Sequence, residues 1–334
     1  MTWYLSKLSS ISPNEVSEVG YNRDTRGHLV QLHMGDPLQT VYGEFDTGSS
    51  LTWFKCNQPI DKPEYWYFNQ TQSGKDWATG YLSMDDMTFR IGYIKTLVQF
   101  KFGCGYLDTS KVPGIIGANN NEYSLPRQLN PDDPKFSYCI SSDLTQTNVI
   151  FFGPEARIHG QPVKMLRNNN SDNYFIEVLG VTVNNEEIDV DSTVFQMSDS
   201  GTRGFIIDSG TASTWLTSEA FDAMMKKMVQ LFGTPVEYTI GNAQFEICYD
   251  SGKFENGTPP VIGFEFEDYF LEIAESNMWF KVPSSTLQCL LIINGKDDTI
   301  SYLGNYQLLD FNVGYDPNKG ALYFDKIKCP NPFI

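Results

Sequence analysis

Apolar residues along this chain come in short runs, not in long stripes. HLVQLHM from His28, NVIFFG from Asn148 and FNVGYD from Phe311 are rich in Val, Ile, Leu and Phe, and Gly, Pro, Asn and Asp clusters punctuate the chain between such runs. Runs of this length and composition predict β-strands separated by tight turns. The clearest helical spacing is in SEAFDAMMKKMVQLFG from Ser218. There Phe221, Met224, Met225, Met228, Val229 and Phe232 recur at three- and four-residue steps, and Gly233 supplies the stop. Its Met-rich stripe reads as core packing. The pattern predicts an all-β chain, mainly strands with a few short helices. The longest apolar run, LQCLLII from Leu287, has the length of a buried strand and falls well short of the roughly 18 residues of a membrane helix.

The pattern also repeats. GEFDTGSSLTWF from Gly43 lays over FIIDSGTASTWL from Phe205, so that Asp46 falls on Asp208, Thr47 on Ser209, Gly48 on Gly210 and Ser49 on Thr211. The match continues through Thr52 on Thr214, Trp53 on Trp215 and Phe54 on Leu216. Downstream of each aspartate, PGIIGA around Gly117 and SYLGN around Gly304 place two apolar residues before a glycine. Each half thus carries the same two-part loop. A third Asp-Ser-Gly-Thr, at Asp199, follows no apolar strand and leads into Thr202-Arg203-Gly204. That copy reads as a solvated turn. The polar, Pro-containing segment HGQPVKMLRNNNSDN from His159 is the break nearest the middle. It divides the chain into an N-terminal lobe, 1–160, with the Asp46 motif, and a C-terminal lobe, 161–334, with the Asp208 motif.

The chain has 334 residues, 41% hydrophobic and 19% charged, which fits folded lobes and not a disordered chain. Lys and Arg number 24 against 41 Asp and Glu, a net charge of -17. That balance argues against nucleic acid or an anionic membrane as partner; it reads either as simple solubility or as a protein that works in acid, where its self-repulsion fades. Cys56, Cys104, Cys139, Cys248, Cys289 and Cys329 are spread singly with no CxxC pair, and three histidines are too few for a zinc site, so no metal is expected. The even count suggests three disulfides without fixing their connectivity. Sequons at Asn69, Asn169 and Asn256 permit glycosylation and secretion. The start, MTWYLSKLSSISPNEV, lacks the apolar core of a signal peptide, as in a mature chain or in a protein that stays inside the cell, and the cysteines favour the former. GCGYLD at Gly103 begins like a dinucleotide fingerprint but lacks its third glycine.

Two aspartates on repeated loops suggest paired carboxyls that share a proton. One, ionised, takes a proton from water while the other polarises a carbonyl. In such a site Asp46 and Asp208 are catalytic. Gly48 and Gly210 let backbone amides approach the carboxylates, Thr47 and Ser209 offer hydroxyls to lock the loops, and Ser49 and Thr211 offer donors to the outer oxygens.

At this point the chain resembles the pepsin-like aspartic proteases, and within them the nepenthesin-type plant branch. The residues that carry this are FDTGSSLTWFKC from Phe45, KFGCG from Lys101, PGIIGANNNEYSLPRQL from Pro113, KFSYCI from Lys135, FIIDSGTASTWLT from Phe205, CYD from Cys248 and the closing YLGNYQLLDFNVGYDPNKGALYFDKIKC from Tyr302. The resemblance implies a bilobal β fold with pseudo-twofold symmetry, a cleft for an extended peptide or protein substrate, no cofactor and no metal. It implies an acid endopeptidase, a monomer without membrane span, secreted, extracellular (apoplast) or vacuolar. It also implies the bridges Cys248–Cys289, Cys139–Cys329 and Cys56–Cys104. Two features depart from the family. The long cysteine-rich insert expected after Cys56 is missing. In the flap, the hairpin that covers substrate, Gln72 takes the place of the usual tyrosine and is followed by Ser73, Gly74 and Lys75. Gln72, Ser73, Gly74, Trp53 and Ala212 are then the expected substrate contacts, with Tyr65, Trp66, Tyr67 or Trp77 taking the tyrosine's place in another hairpin register. The alternative is a pepsin-fold binding protein with weak or no proteolysis, such as a glycosidase inhibitor.

Overall fold

The computed structural model describes residues 2–4, 21–22, 27–56, 67–72, 76–91, 93–108, 112–143, 148–241, 243–296 and 299–329. The chain forms two compact units. The first comprises Met1–His159 with Asp310–Lys319 and Asp325–Ile334, and the second comprises Gly160–Leu309 with Gly320–Phe324.

In the first unit the strands are β1 (Thr2–Tyr4), β2 (Tyr21–Asn22), β3 (Gly27–Met34), β4 (Gln39–Asp46), β5 (Trp53–Lys55), β6 (Tyr67–Gln72), β7 (Asp76–Ile91), β8 (Tyr93–Asp108), β9 (Gly114–Gly117), β10 (Phe136–Cys139) and β11 (Val149–Phe152). Eight of them form one sheet in the order β2-β3-β4-β9-β5-β8-β7-β6. The second unit holds β12 (Gln161–Asn168), β13 (Ser171–Ile176), β14 (Gly180–Val183), β15 (Glu186–Glu187), β16 (Gly204–Ile207), β17 (Thr214–Leu216), β18 (Val236–Ile240), β19 (Ala243–Asp250), β20 (Ile262–Glu265), β21 (Phe270–Glu272), β22 (Trp279–Lys281), β23 (Leu287–Leu290), β24 (Ile292–Asn294) and β25 (Ile300–Leu303). There β12-β13-β16-β25-β17-β24 are neighbours in that order, and two four-stranded sheets, β15-β14-β20-β21 and β18-β19-β23-β22, accompany them.

One expectation is corrected here. The C-terminal strand β26 (Phe311–Asp316) was expected in the lobe 161–334, yet it belongs to the first unit. It pairs antiparallel with β10, Tyr138 opposite Val313, and the Cys139–Cys329 disulfide fastens the following segment to the same strand. Its aromatic residues find their partners there too: Tyr315 stacks on Phe136 at 4.4 Å between ring centroids. The other two bridges are Cys56–Cys104 and Cys248–Cys289, so all three pairings are those the resemblance implies.

Aromatic clusters anchor both aspartate-bearing strands. Phe45 on β4 meets Phe136 and Tyr138 edge-on at 6.0 and 5.7 Å, and Phe205 on β16 meets Phe195 and Phe264 at 5.6 and 5.8 Å. The expected helix is present as Ser218–Phe232, with Gly233 beyond it at φ 83°. Phe221, Met224 and Met228 are buried with Ala220 and Ala223, while Val229 is exposed, so the apolar stripe is shifted towards the alanines.

Candidate active site

Asp46 is the last residue of β4, which runs parallel to β9 with Asp46 opposite Gly117. The chain loops out and returns as β5, antiparallel to β9, with Trp53 opposite Ile115. The second unit repeats this path. β16 runs parallel to β25 with Ile207 opposite Leu303, and β17 returns antiparallel with Trp215 opposite Tyr302. Asp208 follows β16 directly, and its amide donates to the Leu303 carbonyl at 3.0 Å.

Hydrogen bonds around the two carboxylates correspond atom for atom. The Gly48 amide donates to Asp46 Oδ1 at 2.8 Å, and the Gly210 amide donates to Asp208 Oδ1 at 2.8 Å. The Ser49 hydroxyl donates to Asp46 Oδ2, and the Thr211 hydroxyl donates to Asp208 Oδ2 at 2.6 Å. Donors on both oxygens hold each side chain in one orientation. Asp46 is 4% and Asp208 8% exposed, so both carboxyls are largely removed from water. Thr47 and Ser209 are buried beside them, and the Ser209 carbonyl accepts from Asn305 Nδ2 at 2.9 Å. Asp199, by contrast, is exposed in a turn where its carbonyl accepts from Asn168 and Asn170.

Beneath each loop lies a support that sequence reasoning aligned but gave no role. Thr52 Oγ1 accepts from the Gly117 amide at 3.1 Å, and Thr214 Oγ1 accepts from the Gly304 amide at 3.2 Å. Both threonines are fully buried. The glycines are required because the returning loop crosses them closely. A Cβ on Gly117 would sit 2.8 Å from the Leu51 backbone, and one on Gly304 would sit 2.5 Å from that of Ser213. The shared Thr-Trp after each motif was the signal for these threonines.

Of the expected substrate contacts, Trp53 is corrected. It is 2% exposed and packs with Val112 and Ile115, so its ring fills the core of the first unit and offers no wall to a ligand. Ala212 is half-buried, and its carbonyl accepts from the Tyr306 amide at 2.9 Å. Gln72 closes the β6–β7 hairpin opposite Asp76; Ser73, Gly74 and Lys75 lie outside the described residues. Of the sequon asparagines, Asn169 and Asn256 are exposed, and Asn69 lies within β6. Among the described residues no group of His, Cys, Asp and Glu is placed to hold a metal ion, and no helix is long and apolar enough to cross a membrane.

Known proteins are similar to this chain over most of its length. Residues 61–154 match the family model described as xylanase inhibitor N-terminal, and residues 173–326 match xylanase inhibitor C-terminal. The aspartyl protease AED1 of Arabidopsis thaliana is 26% identical over 97% of this chain and 78% of its own length. Aspartic proteinase nepenthesin-2 of Nepenthes gracilis is 26% identical over 90% of this chain and 78% of its own. Among solved structures, edgp has a TM-score of 0.80 at 18% identity, covering 92% of this chain and 94% of that one. Basic 7S globulin from soybean has a TM-score of 0.76 at 18% identity, covering 93% and 96%. With aspartate loops of one design in both units, a mainly β fold shared with these structures, and plant aspartic proteases matching nearly its whole length, this chain belongs to the pepsin-like aspartic proteases, in their plant branch.

Proposed function

We propose that this chain is an aspartic-type endopeptidase acting at acidic pH, with Asp46 and Asp208 as its catalytic pair. The observation that carries the reading is the correspondence of the two loops: Asp46 closes β4 and Asp208 directly follows β16, each with an amide on Oδ1 and a hydroxyl on Oδ2. Two such carboxyls share a proton, as in aspartic proteases generally. The ionised one takes a proton from water, the protonated one polarises the scissile carbonyl, and the roles reverse as the amine departs. The buried carboxyls and the acidic composition both suit work in acid, where the shared proton is retained. Three disulfides favour an oxidising compartment, secretory or vacuolar.

A second reading rests on the two family models, whose descriptions name xylanase inhibitors. On it the chain binds a glycosidase or another protein and cleaves little. The deciding experiment is cleavage of a diverse peptide library from strongly acidic to neutral pH, with and without pepstatin. Acid cleavage that is abolished in Asp208→Asn and kept in Asp199→Asn supports the endopeptidase. Folded wild type that cleaves nothing at any pH, but captures a glycosidase, establishes the second reading instead.

A further inference from the structure

Both oxygens of Asp208 receive donors from the loop that follows it, and one residue from far down the chain stands behind both donors. Asn305 lies just past the end of β25 and is 2% exposed. Its backbone amide donates to the Thr211 carbonyl at 2.8 Å, and its side-chain Nδ2 donates to the Ser209 carbonyl at 2.9 Å. Those two carbonyls flank Gly210. Among the described residues the bond to Ser209 is the side chain's one hydrogen bond.

A trans peptide group is planar, with its C=O and N–H pointing opposite ways. The Ser209 carbonyl and the Gly210 amide belong to one such group. Asn305 Nδ2 therefore grips the far end of the peptide whose near end donates to Asp208 Oδ1 at 2.8 Å. A donor on that carbonyl fixes the tilt of the plane, which aims the N–H. It also polarises the peptide, and hydrogen bonds in series strengthen one another. The first unit is built differently at this point. Asn119 is the counterpart by its backbone, for its amide donates to the Ser49 carbonyl at 3.1 Å as that of Asn305 does to the Thr211 carbonyl. Yet Asn119 Nδ2 donates to the Ser50 hydroxyl at 2.9 Å, so Asn119 gives no such brace behind Gly48.

We propose that Asn305 is a positioning residue for the proposed reaction: acting through the Ser209–Gly210 peptide, it holds the Gly210 N–H on Oδ1 of Asp208 and so keeps that carboxyl in one orientation. The role rests on Asp208 being a member of the catalytic pair. Asn305 is buried behind the loop and acts only through it. A carboxyl free to rotate presents the wrong geometry to water and to the scissile carbonyl, and a misplacement of about 1 Å can cost about 100-fold in rate. Asn305→Ala keeps the backbone bond to Thr211, whose hydroxyl serves Oδ2, and removes only the brace behind the Oδ1 donor. The loss should therefore fall on kcat and leave KM nearly alone.

The test pairs amide NMR of the full chain with steady-state peptide cleavage. In Asn305→Ala the Gly210 amide proton should move upfield as its bond to Oδ1 weakens. There kcat should fall about 10- to 100-fold while KM changes less than about twofold. Asn305→Asp separates a lost donor from a lost shape. In acid its buried carboxyl is protonated and its O–H can replace Nδ2, so the Gly210 resonance and most of kcat should return. As that carboxyl ionises the donor is lost, and the resonance should move away from the wild-type position at the same pH. That movement carries the test should Asn305→Ala fail to fold. A Gly210 amide unmoved in folded Asn305→Ala overturns the coupling, however cleavage responds. A shifted amide with wild-type kcat overturns the positioning role, as does an Asn305→Asp chain as impaired in acid as Asn305→Ala. If even the wild type cleaves nothing while the Gly210 amide still shifts, the endopeptidase reading falls and the brace stands.

Discussion

Thr214 supports the second aspartate loop from below, and removing its hydroxyl has a cost that can be worked out bond by bond. Oγ1 accepts from the Gly304 amide at 3.2 Å and donates to Gln307 Oε1 at 2.8 Å. Valine keeps the size and branching but can do neither. Gln307 Oε1 retains the Thr214 amide at 2.9 Å, so it loses one of two bonds. Gly304 loses its bond to Oγ1 in a fully buried setting. Stranding a buried amide costs about 1–3 kcal/mol, and the net loss of the second bond adds about 1 kcal/mol, giving about 2–4 kcal/mol for Thr214→Val. Thr52→Val removes only the bond from Gly117, an expected loss of about 1–3 kcal/mol. Thr214→Ser keeps the hydroxyl and sacrifices a methyl, about 1 kcal/mol. Urea denaturation ranks the variants, and amide exchange localises the effect: Gly304 should exchange faster in Thr214→Val, with Gly117 unchanged. A Thr214→Val chain as stable as Thr214→Ser, with Gly304 still protected, would refute the support.

Gly304→Ala should lose about 3 kcal/mol or more, because its Cβ would press on the Ser213 backbone and no side chain can yield; thermal unfolding measures it. Replacing Cys139 and Cys329 together by serine should cost about 2–5 kcal/mol, since the bridge closes a loop with a sequence separation of 190; the check is a fall in the denaturation midpoint, with β26 amides exposed to exchange. Burial, and then the neighbouring Glu187 carboxylate, push the Glu265 carboxyl above its ordinary value. Its folded state thus binds the proton more tightly than its unfolded state, so this group adds stability as pH falls through the raised value and loses it as pH rises. Glu265→Gln should flatten that part of the curve of melting temperature against pH, and an unchanged slope would contradict it. Burial also pushes the Tyr249 phenol up to about 12, and its hydroxyl donates to the Gly233 carbonyl just past the long helix; Tyr249→Phe should cost about 1 kcal/mol in denaturation.

Much of this was legible in the chain, for reasons that differ by residue. Strands such as HLVQLHM and FNVGYD declare themselves by local composition, and each falls on a strand, β3 and β26. Asp46 and Asp208 stood out because the repeat extends past the motif into Thr-Trp, and the same comparison set Asp199 aside. What composition cannot state is which partner a strand takes. β26 pairs with β10, far back in the chain, and nothing in FNVGYD alone names that partner. Facing is equally hidden for amphipathic aromatics: Trp53 suits a ligand wall or a core, and the β5–β9 register puts it in the core. Thr52 and Thr214 were visible as matched letters, but their partners, Gly117 and Gly304, lie 65 and 90 residues away and meet them only through the fold.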